Sequence, residues 1–216
     1  MNLTLYTSPG SGNSYKVELF LRLLNLPYET RTVNLRQNEH LSTAFLARNR
    51  FGQIPVLVDG DAVLTDSHAI LLYLAGRYGE FTPHAWAPLD PLCLARVVRW
   101  LSVSANEIQN GLAAARAIKG LNWPWDYEQA VRTSYRILKI MDEHLAGREW
   151  LALKHATVAD IACYPYVALA ADGGVDTSSF GNVRRWQAAV EAIPGYWPMP
   201  RVPDWPSVPL VPVPAA

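Results

Sequence analysis

Cysteine is scarce in this 216-residue chain: Cys93 and Cys163 are the only two, far apart and without CxxC spacing. That excludes a disulfide framework and a redox dithiol, and it fits a reducing compartment in which both thiols are read as buried packing residues. The five histidines (40, 68, 84, 144 and 155) form no HxH or HExxH pattern, so no metal site is expected. Excess charge is missing too: 19 Lys plus Arg balance 19 Asp plus Glu. With the basic residues scattered, no nucleic-acid footprint is seen and no nucleic-acid partner is expected. A neutral chain that must stay in solution points to apolar surface covered by dimerisation. No stretch approaches the ~20 apolar residues of a membrane span. The start, Met1-Asn2-Leu3-Thr4-Leu5-Tyr6, has neither a basic segment nor a long apolar one and reads as an opening strand, not a signal peptide. Cytoplasm, with no membrane partner, is the expected location.

Hydrophobic residues make up 50% of the chain, enough to bury two cores at this length. Residues 3–7 suit a strand, and Ser8-Pro9-Gly10-Ser11-Gly12 is a turn cluster. From Asn13 to Asn25, Val17, Phe20, Leu21 and Leu24 recur at helical spacing. Tyr28 to Leu35 alternates as a second strand, which predicts a parallel pair with a right-handed crossover. Residues 36–50 are polar and weakly helical. Gln53 to Val58 reads as a strand, Asp59-Gly60 as a hairpin turn, and Ala62 to Thr65 as the returning strand. Asp66-Ser67 opens an apolar helix from Ala69 to Tyr78, closed by Gly79.

Beyond this β-α-β-α-β-β-α order lies a proline-punctuated stretch, 80–91, read as a linker. Helical patterns then follow at about 92–119, 126–146, 157–170 and 180–193, with no convincing strand. Thr157-Val158-Ala159-Asp160 is a capping-box signature. The segment from Pro194 to Ala216 holds eight of the sixteen prolines, cannot be helical and is expected as an extended strap.

Three places carry candidate chemistry. Ile54-Pro55 opens a strand where a proline is tolerated, so a trans proline at a strand edge and a bent peptide that turns the main chain outward are both compatible with it. Asp66-Ser67 stands at a helix N-terminus, a natural carboxylate site as well as a place where both residues favour N-capping. Ser11-Gly12-Asn13 enters the first helix, where a hydroxyl or amide donor can stabilise an anion and where turn chemistry also favours these residues.

The order of elements, with Gly52-Gln53-Ile54-Pro55-Val56-Leu57-Val58-Asp59-Gly60 followed by Leu64-Thr65-Asp66-Ser67-His68-Ala69-Ile70, resembles the cytosolic glutathione transferase family, and within it bacterial, serine-type theta/nu-like members. The resemblance spans nearly the whole chain. It implies an α/β thioredoxin-like N-terminal domain (βαβαββα, residues 1–79), a linker at 80–91 and an all-α C-terminal helical domain at 92–216 ending in the Pro-rich strap. It also implies a cis Pro55, glutathione as co-substrate, and a homodimer that detoxifies by conjugating the thiolate to a small hydrophobic electrophile.

Carried over residue by residue, Ser11 and Asn13 are the catalytic thiolate donors, with Tyr6 the runner-up. The main chain of Ile54 would pair with the cysteinyl part, Ser67 would hold the γ-glutamyl carboxylate, and Asp66 would face the γ-glutamyl ammonium. His40, in a stretch resembling H-x-S-x-x-F of theta-like members, and Gln53 would meet the glycine carboxylate. Gly12 stands where beta-class members carry a cysteine, which disfavours mixed-disulfide chemistry there. Arg50 departs from the proline many members have, and only the loop should feel it. An electrophile pocket is expected between the domains, with Trp100, Ser104, Ile108, Trp123 and Trp125 as candidate lining residues, though packing is the favoured reading of each taken singly; Trp197 and Trp205 of the tail either fold over that pocket or wrap the outer surface. Leu71, Leu72 and Leu92 suit a dimer face. Two other readings remain open: a glutathione-dependent disulfide reductase or peroxidase, and a non-catalytic interaction protein that kept the fold.

Overall fold

The structure, a computed structural model, describes residues 3–79, 85–200, 202 and 205–211. Residues 1–2, the first part of the linker (80–84, with His84), and positions 201, 203, 204 and 212–216 of the tail lie outside the described residues.

Strand β1 (Leu3–Thr7) leads through a turn to α1 (Gly12–Leu23) and back to β2 (Tyr28–Thr32), which pairs parallel to β1 as the sequence predicts. β2 stops three residues short of the expected Leu35. The reason is local: the Asn34 side chain accepts from the Gln37 N–H and caps a 3-10 turn at Leu35–Gln37. A second 3-10 turn (Glu39–Leu41) and the one-turn helix α2 (Thr43–Leu46) fill the weakly helical stretch. β3 (Val56–Asp59) and β4 (Ala62–Thr65) form the expected hairpin, and β3 runs antiparallel to β1, giving the order β2-β1-β3-β4. β3 starts at Val56, not Gln53. Pro55 has no N–H to offer a ladder, its bond to Ile54 is cis, and the Gln53 carbonyl already accepts from the Asn49 side chain at 2.7 Å.

Strand alternation sends Leu3, Leu5 and Leu57 into the core beneath α1 and α3 (Ser67–Tyr78). On the other face Val33 and Val56 meet Phe45 of α2, with Tyr6 and Ile54 packed against them. α3 begins two residues before Ala69 because Asp66 caps it. Gly79 ends it with φ −79°, so no left-handed glycine is used.

The second half is helical, and its one bridge among the described residues joins Val175 to Val211. α4 (Pro91–Val103), capped by the Asp90 carboxylate on the Cys93 N–H, continues through a π-helical stretch (Ser104–Ala113) into α5 (Ala114–Leu121). α6 (Tyr127–Leu145), α7 (Val158–Ala168) and α8 (Gly181–Glu191) complete it. α7 packs on α1, α3 and α4, so the core is continuous across both halves.

The expected capping box is present, and it does more than cap. Fully buried Asp160 accepts from the main-chain N–H of Thr157 (2.8 Å) and Leu151 (2.9 Å), the Thr157 hydroxyl (3.1 Å) and the Trp186 indole (2.9 Å). Burial pushes its carboxyl up, and those four donors pull it back. Cys163 is buried, as expected, with its Sγ 3.5 Å from the Trp100 carbonyl oxygen, and burial pushes its thiol up. Cys93 is not packed inside: it lies partly exposed on the first turn of α4.

Candidate functional site

Register brings the candidate residues to one end of the sheet. Tyr6 lies opposite Val56, and Val56 opposite Thr65. The segments just after β1 (Ser8 to Ser11), just before β3 (Ile54-Pro55) and just after β4 (Asp66-Ser67) are therefore neighbours. Strands stand about 4.8 Å apart, so the outer two of these segments are about 10 Å apart, the length of an extended tripeptide.

At the β1 side, Ser11 is the N-cap of α1, and its Oγ accepts from the Ser14 N–H at 3.2 Å. A hydroxyl has a proton to give as well as lone pairs, so capping leaves Ser11 O–H free to donate. Asn13 follows on the first turn, half-buried. Gly12 is required by a close approach: a Cβ there would sit 2.6 and 2.7 Å from the Cε1 and Cζ of buried Tyr166 on α7. This supplies a steric reason for the missing cysteine at that position. Gly12→Ala is expected to lower stability by about 1–3 kcal/mol, because the Tyr166 ring is packed between helices and cannot swing away. Urea unfolding checks it, and an unchanged midpoint contradicts the contact. Tyr6, the runner-up, has its ring against Phe45 (centroids 6.4 Å) beneath the Arg48 guanidinium (5.2 Å), on the face away from α1. It is a packing residue.

At the centre, neither the N–H nor the C=O of half-buried Ile54 has a hydrogen-bond partner among the described residues. This is a free stretch of strand edge beside a cis peptide.

At the β4 side, Asp66 adopts φ 69° and ψ 125°, a strained backbone for a residue with a Cβ. Its Oδ1 accepts from the N–H groups of His68 (2.9 Å) and Ala69 (3.0 Å). The capping role considered from sequence is thus real. It leaves two donors over: the first-turn N–H and the hydroxyl of Ser67 have no partner among the described residues. An anion there would also meet the positive end of the α3 dipole.

His40 and Gln53 flank the same approach. A Cβ on Gly52 would lie 3.2 Å from the His40 carbonyl oxygen, which ties the 3-10 turn to the strand entry. The His40 Nδ1 is buried and has no hydrogen-bond partner among the described residues. The Gln53 side chain is exposed.

The second half closes over this end. Arg116, buried on α5, donates to the Gly10 carbonyl at 2.8 Å and to Asp172 at 3.0 Å. Trp205 of the tail lies over its guanidinium at 3.9 Å, and Val202 packs on Gly10. Trp197, in contrast, covers the back of α1, with Arg22 at 4.1 Å and Tyr15 donating to its carbonyl at 2.6 Å. The tail therefore wraps the outer surface first and then crosses the β1–α1 turn. Among the candidate lining residues, packing is what the structure shows for three. Trp100 and Ile108 are core residues, because the inner face of the long α4–α5 rod is spent on packing α6 and α7. Ser104 is buried as well, and Trp123 and Trp125 are half-exposed and pack edge to face on each other. A cleft of about 690 Å³ between Arg22, Tyr28 and Gly195 lies at the opposite end of the sheet, since Tyr28 pairs with Leu3 at the start of β1.

Sequence reasoning missed Lys16 and His68. Lys16 is buried on α1, its Nζ 3.1 Å from His68 Nε2 and 3.2 Å from Ser104 Oγ. The signal was present: Lys16 falls four residues before Phe20, on the apolar stripe.

Known proteins share both halves of this architecture. The sequence profile described as glutathione S-transferase, N-terminal domain, matches residues 5–82, and that of glutathione S-transferase, C-terminal domain, matches residues 125–194. The chain belongs to the glutathione S-transferase family. Human glutathione S-transferase theta-2 is 33% identical over 169 residues, covering 74% of this chain and 68% of that protein. A structure from Rhodopseudomonas palustris, titled a possible glutathione S-transferase, superimposes with a TM-score of 0.85 at 31% identity, covering 93% of this chain and 99% of that one. A Pseudomonas putida glutathione transferase solved with one glutathione disulfide per subunit is 26% identical, with a TM-score of 0.77 and coverages of 90% and 88%. In this family member, the groups of Ile54 and Ser67 that have no partner among the described residues lie at the end of the sheet where Ser11 caps α1.

Proposed function

We propose that this chain binds glutathione across the end of its sheet and uses the bound thiolate as a nucleophile on a small apolar electrophile. The main chain at Ile54, without a hydrogen-bond partner among the described residues, carries the reading, with Ser67 beside it on one side and the turn that leads to Ser11 on the other. Ile54 takes the cysteinyl part as an added strand, Ser67 the γ-glutamyl carboxylate and Asp66, through the oxygen not spent on capping, the ammonium. His40 and Gln53 reach the glycine carboxylate. Ser11 donates its proton to the sulfur, with the Asn13 amide beside it. Conjugation then forms a carbon–sulfur bond and expels the leaving group, a halide from an aryl halide.

Calorimetry with glutathione tests the reading. Binding at about 1 mM or tighter is expected, weakened at least tenfold in Ser67→Ala. No binding by the intact chain would leave a non-catalytic member of the fold. Glutathione-dependent reduction is a second reading, supported by the glutathione disulfide held by the Pseudomonas putida relative. There the bound thiolate would attack a disulfide sulfur, form the new S–S bond and expel the other thiolate. Turnover of a mixed disulfide or an organic hydroperoxide, set against that of an aryl halide, decides between them.

Homodimerisation is also proposed. Exposed Phe51 (80%), Leu89 (96%) and Leu92 (62%) support a covered apolar face, whereas Leu71 is a core residue. Among the described residues no helix is long and apolar enough to cross a membrane. Cytoplasmic detoxification is the role that goes with this reading.

A further inference from the structure

Four helices meet behind the proposed glutathione site around one charge. The Lys16 ammonium (α1) is fully buried, donates to His68 Nε2 (α3) at 3.1 Å and to Ser104 Oγ at 3.2 Å, and lies 5.5 Å over the Tyr166 ring (α7). Ser104 passes its own proton to the Ala162 carbonyl at 2.8 Å, so its oxygen can only accept from Lys16. No carboxylate pairs with this ammonium among the described residues. Burial lowers Lys16 to about 8, opposed by electrostatic coupling to Cys163, whose buried thiol stays protonated near neutral pH, and by the Asp66 carboxylate. Burial, and then the Lys16 charge, lower His68 to about 4, so its ring is neutral; Nε2 lies 3.1 Å from both Lys16 Nζ and Ser104 Oγ, and a charged Lys16 selects the tautomer in which Nε2 accepts. Near neutral pH the cluster therefore keeps one buried positive charge. Two of its three contacts each touch one half of the site: His68 follows Ser67, and Tyr166 abuts Gly12 and the main chain of Asn13.

We propose that Lys16 is a positioning residue whose buried charge, held by His68 and Ser104, keeps the starts of α1 and α3 positive and thereby stabilises the anions of bound glutathione, the thiolate above all. The inference rests on the glutathione reading of the site. Groups facing Lys16 are His68 and Asp66 from the α3 start, Ser104 from the π-helical stretch, and Cys163 and Tyr166 from α7. A unit charge buried within about two helical turns of the sulfur is expected to move the thiol by about one unit, a tenfold change in thiolate at neutral pH.

The test is an ultraviolet titration of the thiol of glutathione bound to the whole chain, in wild type, Lys16→Met and Lys16→Gln. Met removes charge and hydrogen bonds together, while Gln keeps an N–H donor for His68 and Ser104. Neither strands a buried charge, so both should fold. A rise of about one unit in both variants is expected. No rise in either, or a rise in Met alone, overturns the proposal, the latter because hydrogen bonding rather than charge would then be responsible. If wild type binds no glutathione, the site reading itself fails and this inference with it. Binding with an unmoved thiol overturns the inference alone.

Discussion

Ser11→Ala is expected to lower kcat/KM about a hundredfold near pH 6.5 and to leave it close to wild type above about pH 9. A free thiol ionises near pH 8.5, and holding it as thiolate about two units lower requires about 2.7 kcal/mol of preferential binding. Ser11 caps α1 with its oxygen, and in the proposed site its proton goes to the sulfur. Alanine removes both. The thiol then titrates near its free value, so activity returns once the solution is alkaline enough to ionise it. Losing the cap should also reduce stability by about 1 kcal/mol, a loss that is not restored by raising the pH, which separates the two roles. Tyr6→Phe should leave the profile in place, since that ring packs against Phe45. Rate–pH profiles of the three proteins check this. A Ser11→Ala profile parallel to wild type at all pH values would contradict the assignment.

Asp160→Ala is expected to cost about 3–5 kcal/mol of stability, the largest loss from a single residue outside the site. Four donors converge on this carboxylate from the loop before α7, from the α7 N-terminus and from α8. Truncation strands all four in a region with no solvent access, and one to two waters in the vacated space would recover only part of the loss. Asp160→Asn should fall between, because its amide accepts with one oxygen and presents an N–H where donors already point. Chemical unfolding with circular dichroism gives the order wild type, Asn, Ala. Equal midpoints for wild type and Ala would show that the network contributes nothing.

Much of this was legible in the sequence because it is written in local chemistry. Pro and two glycines between Ser8 and Gly12 announce a turn, Asp59-Gly60 a hairpin, Asp66-Ser67 a helix start and Thr157 to Asp160 a capping box. Each of these needs only its neighbours. Strand ends were less legible, since Asn34 and Asn49 stop β2 and delay β3 through side-chain hydrogen bonds to the main chain that propensity does not encode. Contacts across long separations were not legible at all. Lys16 and His68 stand 52 residues apart, and Ser104 another 36 beyond, so nothing in the chain order says that they share one buried cluster. For the same reason the sequence left Trp100 and Ile108 open between pocket lining and packing, and they are core. A helix of the second half has two apolar neighbours to choose from, and periodicity does not say which.

The most direct measurement is a crystal structure of this chain soaked with glutathione. The account predicts a sulfur at hydrogen-bond distance from Ser11 Oγ, the cysteinyl main chain laddered on Ile54, and the γ-glutamyl carboxylate on the N–H and hydroxyl of Ser67. A peptide lying in the cleft by Arg22 and Tyr28, or a sulfur turned away from Ser11 with Ser67 left bare, would contradict it.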